Sequence, residues 1–217
     1  MLTSRSSRLT LIATCGITAA LAGGVAFALP ADDAKPGAAD SHMHATVGKP
    51  APAFTLKDTA GKEVKLADFA GKVVVLEWIN PGCPVCKDKF EDGSVTKMIE
   101  ASKAIDPDVV FLFINSTAAT ADRPQESADY MKANKVVGAG LIDGDGAVGH
   151  MYGAKTTPHC YVIDAKGVLA YNGAIDDKGS TNYVVDAVKA LKEGKAVSPA
   201  TTKPYGCSVK YGKSKKG

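Results

Sequence analysis

Two continuous apolar runs dominate the hydrophobic pattern of the chain, K-V-V-V-L-E-W at 72–78 and V-V-F-L-F-I at 109–114. Neither run alternates between apolar and polar positions, as a strand with one solvated face does. Uninterrupted Val, Leu, Ile and Phe are typical of strands buried on both faces of a parallel sheet. These two segments therefore predict the centre of the sheet of an α/β domain.

Helix signals follow both strands. Pro84 suits the first turn of a helix, where its missing N–H costs nothing. Gly93 and Ser94 predict a break in this helix, with Ser94 capping a second piece. Another helix is predicted at about 124–134 after the second strand. Alternating strands and helices indicate a βαβ arrangement, in which a right-handed crossover is expected.

Two hairpins are predicted outside this central unit. Short apolar segments at 54–56 and 64–66 flank the turn D-T-A-G-K, and C-Y-V-I-D (160–164) and V-L-A-Y-N-G (168–173) flank a second glycine-containing turn. A helix at about 181–193 closes the domain. We therefore predict an α/β fold with a mixed central β-sheet flanked by helices and an N-terminal β-hairpin extension.

The N-terminal 28 residues differ in composition from the rest of the chain. Arg5 and Arg8 precede an apolar, Gly/Ala-rich run that ends in A-F-A, the small-x-small pattern of a signal peptidase site. We interpret 1–28 as a secretory signal and expect an exported, periplasmic or otherwise extracytoplasmic protein with no stable membrane span after cleavage. An uncleaved anchor is the alternative, because about 20 apolar residues can span a bilayer.

Composition also divides the remainder of the chain. The Ala-, Asp-, Gly- and Pro-containing segment 29–48 predicts a flexible, poorly ordered linker. We predict one domain at 49–197 and a C-terminal tail at 198–217 that carries Cys207. The formal net charge of the whole chain is only +3, and the lysines of the tail indicate a solvated segment. No nucleic-acid-binding motif is present, so we expect no nucleic-acid partner.

Four cysteines follow the predicted signal: Cys83, Cys86, Cys160 and Cys207. Thiols in an exported chain persist when they are cycled, buried or bound to a metal. The motif C-P-V-C at a predicted helix start is a candidate redox pair, although the same spacing begins many zinc sites. Zinc needs three or four ligands, and the sequence has no second C-x-x-C and no H-x-x-x-H. We therefore predict neither a metal nor a cofactor.

Several motifs together resemble one family. V-G-K-P-A-P-A-F-T-L (47–56), G-K-V-V-V-L-E-W (71–78), C-P-V-C at a strand-to-helix turn and T-T-P-H-C-Y-V-I-D (156–164) resemble the thioredoxin-like proteins of the redoxin and peroxiredoxin group. An exported, peroxiredoxin-like branch of this group shows further motifs that are also found at 152–158, 171–177 and 206–211. The resemblance covers about residues 47 to 195 and implies a thioredoxin-like fold and thiol redox chemistry.

The expected helix start assigns roles to the C-P-V-C cysteines. A helix N-terminus stabilises negative charge by about 0.3 to 1 kcal/mol and so lowers the pKa of a cysteine placed there. We predict that Cys83 is the nucleophile and the more acidic, more exposed thiol. Cys86, one helical turn later, is expected to resolve a mixed disulfide.

The resemblance implies a proton-exchanging acid at Glu77, which lies six residues before Cys83 as the buried acid of thioredoxins does. Burial at the end of a strand would raise its pKa towards neutrality. A partly solvated strand-end glutamate is the alternative interpretation.

Four residues are candidates for substrate binding. Trp78 and Pro84 are expected near the lip of the site, with plain core as the alternative for Trp78. Thr157 and Pro158 resemble the cis-proline loop that faces the C-x-x-C in this fold, and the exposed backbone of that loop is expected to bind a substrate peptide by strand addition.

Two further motifs point to metals only weakly. Asp143 and Asp145 lie in D-G-D-G, which resembles a calcium loop, but position twelve of that loop is Ala154 rather than glutamate. We predict a simple turn there. His159 is close in sequence to the cis-proline loop, which raises the alternative of a copper-binding carrier with the same fold. Those carriers usually separate their cysteines by three residues rather than two.

The position of Cys207 leaves two pairings open. A Cys160–Cys207 disulfide would pin the tail to the sheet and would stabilise the fold by roughly 3 to 4 kcal/mol. The resemblance instead implies that Cys207 recurs together with Cys83. On that basis we expect Cys207, on a mobile tail, to reach Cys83 as a second resolving thiol.

These features predict an exported thiol oxidoreductase that exchanges protein disulfides or thiols and has a thiol reductant as partner. The alternative is a peroxiredoxin-like thiol peroxidase, for which a peroxide is the substrate. Peroxiredoxins place a threonine three residues before the reactive cysteine and use a downstream arginine. Asn80 precedes Cys83 by three residues, and Arg123 is the only arginine after the predicted signal.

Overall fold

The structure is a computed structural model that describes residues 44–212. The predicted secretory signal and most of the predicted linker lie outside the described residues and stay predictions. The described end of that linker forms backbone hydrogen bonds with the domain. The Ala45 N–H donates to the Met151 carbonyl at 3.0 Å, and the Gly48 N–H donates to the Leu169 carbonyl at 2.8 Å.

A seven-stranded mixed sheet forms the centre of the domain and confirms the predicted fold class. Its strands, in chain order, are β1 (Thr55–Asp58), β2 (Glu63–Lys65), β3 (Val74–Trp78), β4 (Val110–Asn115), β5 (Ala139–Ile142), β7 (His159–Ile163) and β8 (Leu169–Gly173). The order across the sheet is β2-β1-β5-β4-β3-β7-β8. Strands β3, β4 and β5 are parallel neighbours, whereas β7 and β8 form an antiparallel hairpin beside β3.

Six helices accompany these strands within the described part of the chain: α1 (Pro84–Glu91), α2 (Ser94–Ile105), α3 (Ala118–Ala121), α4 (Pro124–Ala133), α5 (Ala147–Tyr152) and α6 (Tyr183–Lys192), together with a 3-10 turn at Leu66–Phe69. No helix in residues 44–212 is long and apolar enough to cross a membrane.

The predicted break between the first two helices is confirmed, but its capping residue is different. Gly93 adopts a left-handed conformation with φ of 76° and is the N-cap of α2. The Asp92 carboxylate accepts a hydrogen bond from the Ser94 N–H at 2.7 Å. Ser94 is therefore the first helical residue, because glycine reaches positive φ without steric cost and the neighbouring aspartate supplies the acceptor.

The sheet buries a different core on each face. Val75 of β3 and Ile79, which follows β3, point into the core that α2 and α6 cover, while Leu76 and Trp78 point into the core on the side of α5. Because side chains alternate along a strand, Glu77 shares the first face. The same face carries Cys160 of β7.

A separate two-stranded sheet returns the C-terminal tail to the domain. Strand β6 (Thr156–Thr157) pairs antiparallel with β9 (Cys207–Ser208), and Thr157 lies opposite Cys207. Residues 205–211, here named the C-terminal strap, are anchored on both sides of Cys207.

The two anchors are tyrosines. The Tyr205 hydroxyl donates to Asp176, and the Tyr211 hydroxyl donates to the Ala154 carbonyl at 2.7 Å. The expectation that Cys207 lies on a mobile tail was therefore wrong for the described residues, because strand pairing and these side chains fix the segment.

Candidate functional site

Cys83 is the N-cap of α1, as the sequence predicted. Its backbone is extended, with φ −87° and ψ 120°, and its N–H donates to the Asn80 carbonyl at 2.9 Å. Pro84 is the first helical residue and needs no acceptor for a backbone N–H. The sulfur of Cys83 therefore lies at the positive end of the helix dipole.

The loop before β7 lies directly against this helix start. The Thr157–Pro158 peptide bond is cis, which confirms the prediction. The Cys83 thiol lies 3.1 Å from the Thr157 carbonyl oxygen and donates to it while protonated. Cys83 and the predicted cis-proline loop are thus in contact.

Hydrogen-bond donors favour the ionised form of Cys83. A bond from the Cys86 thiol is the largest influence that lowers its pKa, and bonds from Cys207 and Thr157 act in the same direction. Burial opposes them, yet the pKa falls from an ordinary 9.0 to about 4. A thiolate is the nucleophilic form of cysteine, so Cys83 is poised to react at neutral pH.

Cys83 is slightly more accessible than Cys86, as predicted, but both thiols are almost completely buried. Only 1% of Cys83 and 0% of Cys86 is accessible, whereas Cys207 is partly exposed. We attribute this difference to the strap, because β9 pairs with β6 and sets Cys207 opposite Thr157, whose carbonyl contacts the Cys83 thiol. The acidic thiol and the accessible thiol are therefore two different residues.

Cys207 lies close enough to Cys83 to form a hydrogen bond. The pKa of Cys207 is raised chiefly because its thiol donates to Cys83, while an N–H from Val85 in the first turn of α1 acts in the opposite direction. The Thr157 hydroxyl also lies 3.4 Å from the Cys207 carbonyl oxygen. Within residues 44–212 all four cysteines are free thiols.

Cys86 faces the interior at the first turn of α1. Its pKa is raised well above 9.0, first because it donates a hydrogen bond to Cys83 and second because it is buried. The charge of a deprotonated Glu77 adds to this increase. Cys86 is therefore held as a protonated thiol beside the Cys83 thiolate.

Glu77 is fully buried in β3, opposite Cys160 in the register of β3 and β7. Neither of its carboxyl oxygens has a hydrogen-bond partner among the described residues. Desolvation by burial, followed by the charge of Asp176, raises its pKa to about 8. The partly solvated alternative does not hold, and the carboxyl group is buried as the resemblance implied.

Asp176 was missed in the sequence as part of the site. Its carboxylate accepts hydrogen bonds from Tyr205 of the strap and from Lys89 of α1, the latter at 2.5 Å. It also raises the pKa of Glu77. The motif Y-N-G-A-I-D-D at 171–177 contains this residue, so the resemblance contained a signal that could have identified it.

Of the four substrate-binding candidates, Trp78, Thr157 and Pro158 are buried, and only Pro84 is exposed. Trp78 lies in the core with no exposed surface, and its indole N–H donates to the Ser116 hydroxyl at 2.9 Å. Thr157 is buried, and its strand edge is already paired with β9. The edge next to Pro158 that was expected to accept a substrate peptide is therefore filled by the chain's own strap.

The weak metal signals have structural roles. Both ring nitrogens of His159 have partners: Nε2 donates to Asn172 Oδ1 at 2.8 Å, and Nδ1 accepts from the Lys155 N–H at 3.2 Å. Asp143 is buried and accepts from the Gly149 N–H at 2.8 Å at the start of α5. In the described part of the chain, no group of three or more His, Cys, Asp or Glu side chains is arranged to hold a metal ion.

Solved structures of other proteins share the fold of this chain. A crystal structure of a conserved protein from Geobacillus kaustophilus shares 27% identity with the chain, covers 78% of it and 94% of its own length, and superposes with a TM-score of 0.68. The thioredoxin domain of a thiol-disulfide oxidoreductase from Bacteroides vulgatus, at 21% identity, covers 69% of this chain and 96% of its own with a TM-score of 0.51. The latter shows the thioredoxin-like fold.

The fold and the cysteine site define a thioredoxin-like thiol oxidoreductase. The sequence model of the Redoxin family matches residues 46–191, and the chain belongs to this family. A Mycobacterium tuberculosis protein that carries a provisional peroxiredoxin name is 28% identical over 149 residues, which are 67% of this chain and 87% of that protein.

Proposed function

We propose that the protein is an exported thiol-disulfide oxidoreductase that uses Cys83 and Cys86 as its redox pair. The observation that carries the proposal is the hydrogen-bonded pair at the start of α1, with an acidic Cys83 at the N-cap and a protonated Cys86 one turn later. Export is supported by the sequence pattern of 1–28.

The reaction begins at the Cys83 sulfur. Its thiolate attacks one sulfur of a substrate disulfide, and the other substrate sulfur leaves as a thiolate that takes up a proton. Cys86 then loses its proton and attacks the Cys83 sulfur of the mixed disulfide, releasing the second substrate thiol. The substrate gains two electrons, and the protein retains a Cys83–Cys86 disulfide that a thiol reductant must reduce.

Glu77 is the proton acceptor for Cys86 in this scheme. Cys86 has a raised pKa, so it becomes a competent nucleophile only when a base removes its proton. The pKa of Glu77, about 8, lies close to neutral pH and allows the carboxyl group both to accept and to release a proton there.

A peroxidase is the second candidate, because a sulfur with 1% exposure is accessible to a small oxidant more readily than to a protein. The peroxiredoxin name of the M. tuberculosis relative points the same way. Against it, Asn80 rather than threonine precedes Cys83 by three residues, and Arg123 is half-exposed and bonds to Glu126 and the Ala119 carbonyl. Disulfide exchange remains the better-supported function.

Stopped-flow oxidation of the reduced protein tests the choice. Trp78, the single tryptophan, lies in the strand before Cys83 and provides a fluorescence signal. Equal concentrations of hydrogen peroxide and of a protein disulfide are compared on the wild type, on Cys83→Ser and on a Cys160→Ser control. Faster oxidation by the protein disulfide, lost in Cys83→Ser but kept in Cys160→Ser, supports disulfide exchange. Faster oxidation by peroxide supports the peroxidase instead.

A further inference from the structure

The reactive sulfur and the accessible sulfur of this site are different atoms. Cys83 is 1% exposed under the strap, while Cys207 is partly exposed on the strap itself. An external thiol that must reduce a disulfide at Cys83 therefore meets the strap first. Cys207 is both partly exposed and within hydrogen-bond reach of Cys83.

The position of Cys207 is built into the fold. Gly206 has φ of 124°, and a Cβ atom there would lie 2.2 Å from the Thr157 carbonyl oxygen, so the strap passes the loop as closely as only glycine permits. Strand pairing then sets Cys207 opposite Thr157, whose carbonyl contacts the Cys83 thiol. Tyr205 and Tyr211 anchor the strap on either side.

We infer that Cys207 is the sulfur through which an external thiol reductant delivers electrons to the buried Cys83. This inference rests on the proposed function, because it concerns how the Cys83–Cys86 disulfide is reduced again. The substrate class of the added step is a small thiol or the exposed cysteine of a reductant protein.

The relay begins inside the protein. The Cys207 thiol first releases its proton to solvent. Its thiolate then attacks Cys83 in the Cys83–Cys86 disulfide, which forms a Cys83–Cys207 disulfide, and Cys86 leaves and takes the proton that Glu77 held. No electrons enter at this step, since one disulfide replaces another.

External electrons enter at the next step. A reductant thiolate attacks the exposed Cys207 sulfur, which forms a mixed disulfide with Cys207 and releases Cys83 as a thiolate. A second reductant thiol then attacks the reductant sulfur of that mixed disulfide. The reductant leaves as its own disulfide, and Cys207 is released as a thiolate that takes up a proton. Two reductant thiols are oxidised, and one protein disulfide is reduced.

Access and leaving-group chemistry both favour attack at Cys207. The sulfur of lower pKa is the better leaving group in thiol-disulfide exchange. Cys83 has the lowered pKa of the pair, and Cys207 has the raised one. Attack at the exposed Cys207 therefore expels the more stable thiolate, whereas attack at Cys83 needs a buried approach and expels the poorer leaving group.

The first experiment maps the attacked sulfur. Oxidation of Cys86→Ser is expected to give a Cys83–Cys207 disulfide. One equivalent of reduced glutathione is added, the reaction is quenched with acid and alkylating reagent, and peptides are identified by mass spectrometry. We expect glutathione on Cys207 and a free Cys83. Glutathione on Cys83, or a Cys160–Cys207 disulfide with Cys83 free, would overturn the inference.

The second experiment measures the rate of the relay in the full chain. Wild type, Cys207→Ser and Cys160→Ser are oxidised to the Cys83–Cys86 disulfide and reduced with glutathione. Serine keeps the strap and a hydrogen-bond donor but cannot form a disulfide, so we expect reduction to slow by about tenfold or more in Cys207→Ser only. An unchanged or faster rate in Cys207→Ser would show that the strap only covers the site.

The outcomes separate this inference from the proposed function. If wild type forms no Cys83–Cys86 disulfide on oxidation, the proposed redox pair fails. If that disulfide forms and is reduced equally fast with and without Cys207, the pair stands and only the relay fails.

Discussion

Cys83 and Cys160 both have almost no accessible surface, yet their thiols have opposite ionisation. Cys83 is 1% exposed and Cys160 is 0% exposed. The pKa of Cys83 falls to about 4, yet the pKa of Cys160 rises well above 9.0 because of burial, with Glu77 and Asp176 contributing. Low surface accessibility alone therefore does not decide which thiol is reactive.

The difference arises from what surrounds each sulfur. Cys83 ends a loop at a helix N-terminus, where thiol and hydroxyl donors converge on it. Cys160 lies in the middle of the sheet, opposite the carboxyl group of Glu77. Donors offset the cost of desolvating a charge, whereas an acidic neighbour adds to that cost. The fold thus places the Cys83 thiolate at a helix start beyond the end of β3, and it keeps Cys160 and Glu77 protonated within the sheet.

The largest expected effect is a single thiolate in the reduced protein at pH 6. Thiolate absorbance near 240 nm should show about one thiolate per molecule with a midpoint near pH 4, because Cys83 titrates there. Cys83→Ser should remove this signal, and Cys160→Ser should keep it. Because the folded-state pKa is depressed, stability from this group is present above its unfolded pKa and is lost as the pH falls through about 4. Loss of the signal in Cys160→Ser would mean that Cys160, rather than Cys83, is the thiolate.

Replacement of Glu77 by glutamine tests whether the buried carboxyl group is protonated in the folded protein. The folded-state pKa is raised, so the contribution of Glu77 is fully present below its unfolded pKa of about 4.5 and is lost as the pH rises to about 8. Glu77→Gln stays neutral, so its free energy of unfolding at pH 8 should exceed that of wild type by roughly 3 to 5 kcal/mol. Urea unfolding at pH 5 and pH 8 measures this, and the two proteins should differ little at pH 5. Equal pH dependence in both proteins would show that Glu77 is ionised in the native state.

Cys207 offers a finer test of the donors around Cys83. Cys207→Ala removes one donor and should raise the pKa of Cys83 by about one unit, since a hydrogen bond to a charged group contributes about 1.5 to 3 kcal/mol and solvent replaces part of it. Cys207→Ser is the matched control, because its hydroxyl still donates. Thiolate absorbance against pH gives both values. Equal shifts in the two variants would mean that the strap acts by shielding the site rather than by donating.

The smallest expected effect concerns the strap anchor. Tyr205→Phe removes the hydrogen bond to Asp176 and should lower the free energy of unfolding by about 1 kcal/mol. Because the strap covers Cys83, alkylation of Cys83 by iodoacetamide should also become faster. Unfolding in urea and timed mass spectrometry measure the two quantities. Unchanged alkylation with lowered stability would show that Tyr211 and β9 hold the strap without this anchor.

Most of the regular structure could be predicted from local pattern. The buried strands, the N-terminal hairpin, the helix break at Gly93 and the helices near 124–134 and 181–193 are all present. Strand β5 and helix α5 were missed. Their segments are short and contain Gly140 and Gly149, where a Cβ atom would lie under 3.0 Å from neighbouring side chains. Tertiary packing, rather than intrinsic strand or helix propensity, therefore requires glycine at these two positions.

The sequence by itself determined the chemistry of the site. The C-P-V-C motif after a buried strand, with proline in the first helical turn, was enough to place Cys83 at a helix N-terminus and to predict its acidity. The helix start and the hydrogen bond from Cys86 depend on residues close together in the chain, so local rules suffice for them, whereas the donors from Thr157 and Cys207 come from distant segments.

Only the tertiary structure decided which thiol is accessible. More than 100 residues separate Cys83 from Cys207, and no periodicity reports that β9 pairs with β6. The same holds for the burial of Trp78 and for the contact of Asp176 with Tyr205. Exposure depends on every segment that packs over a residue, and strand pairing between distant segments is set by the whole fold rather than by neighbours in sequence.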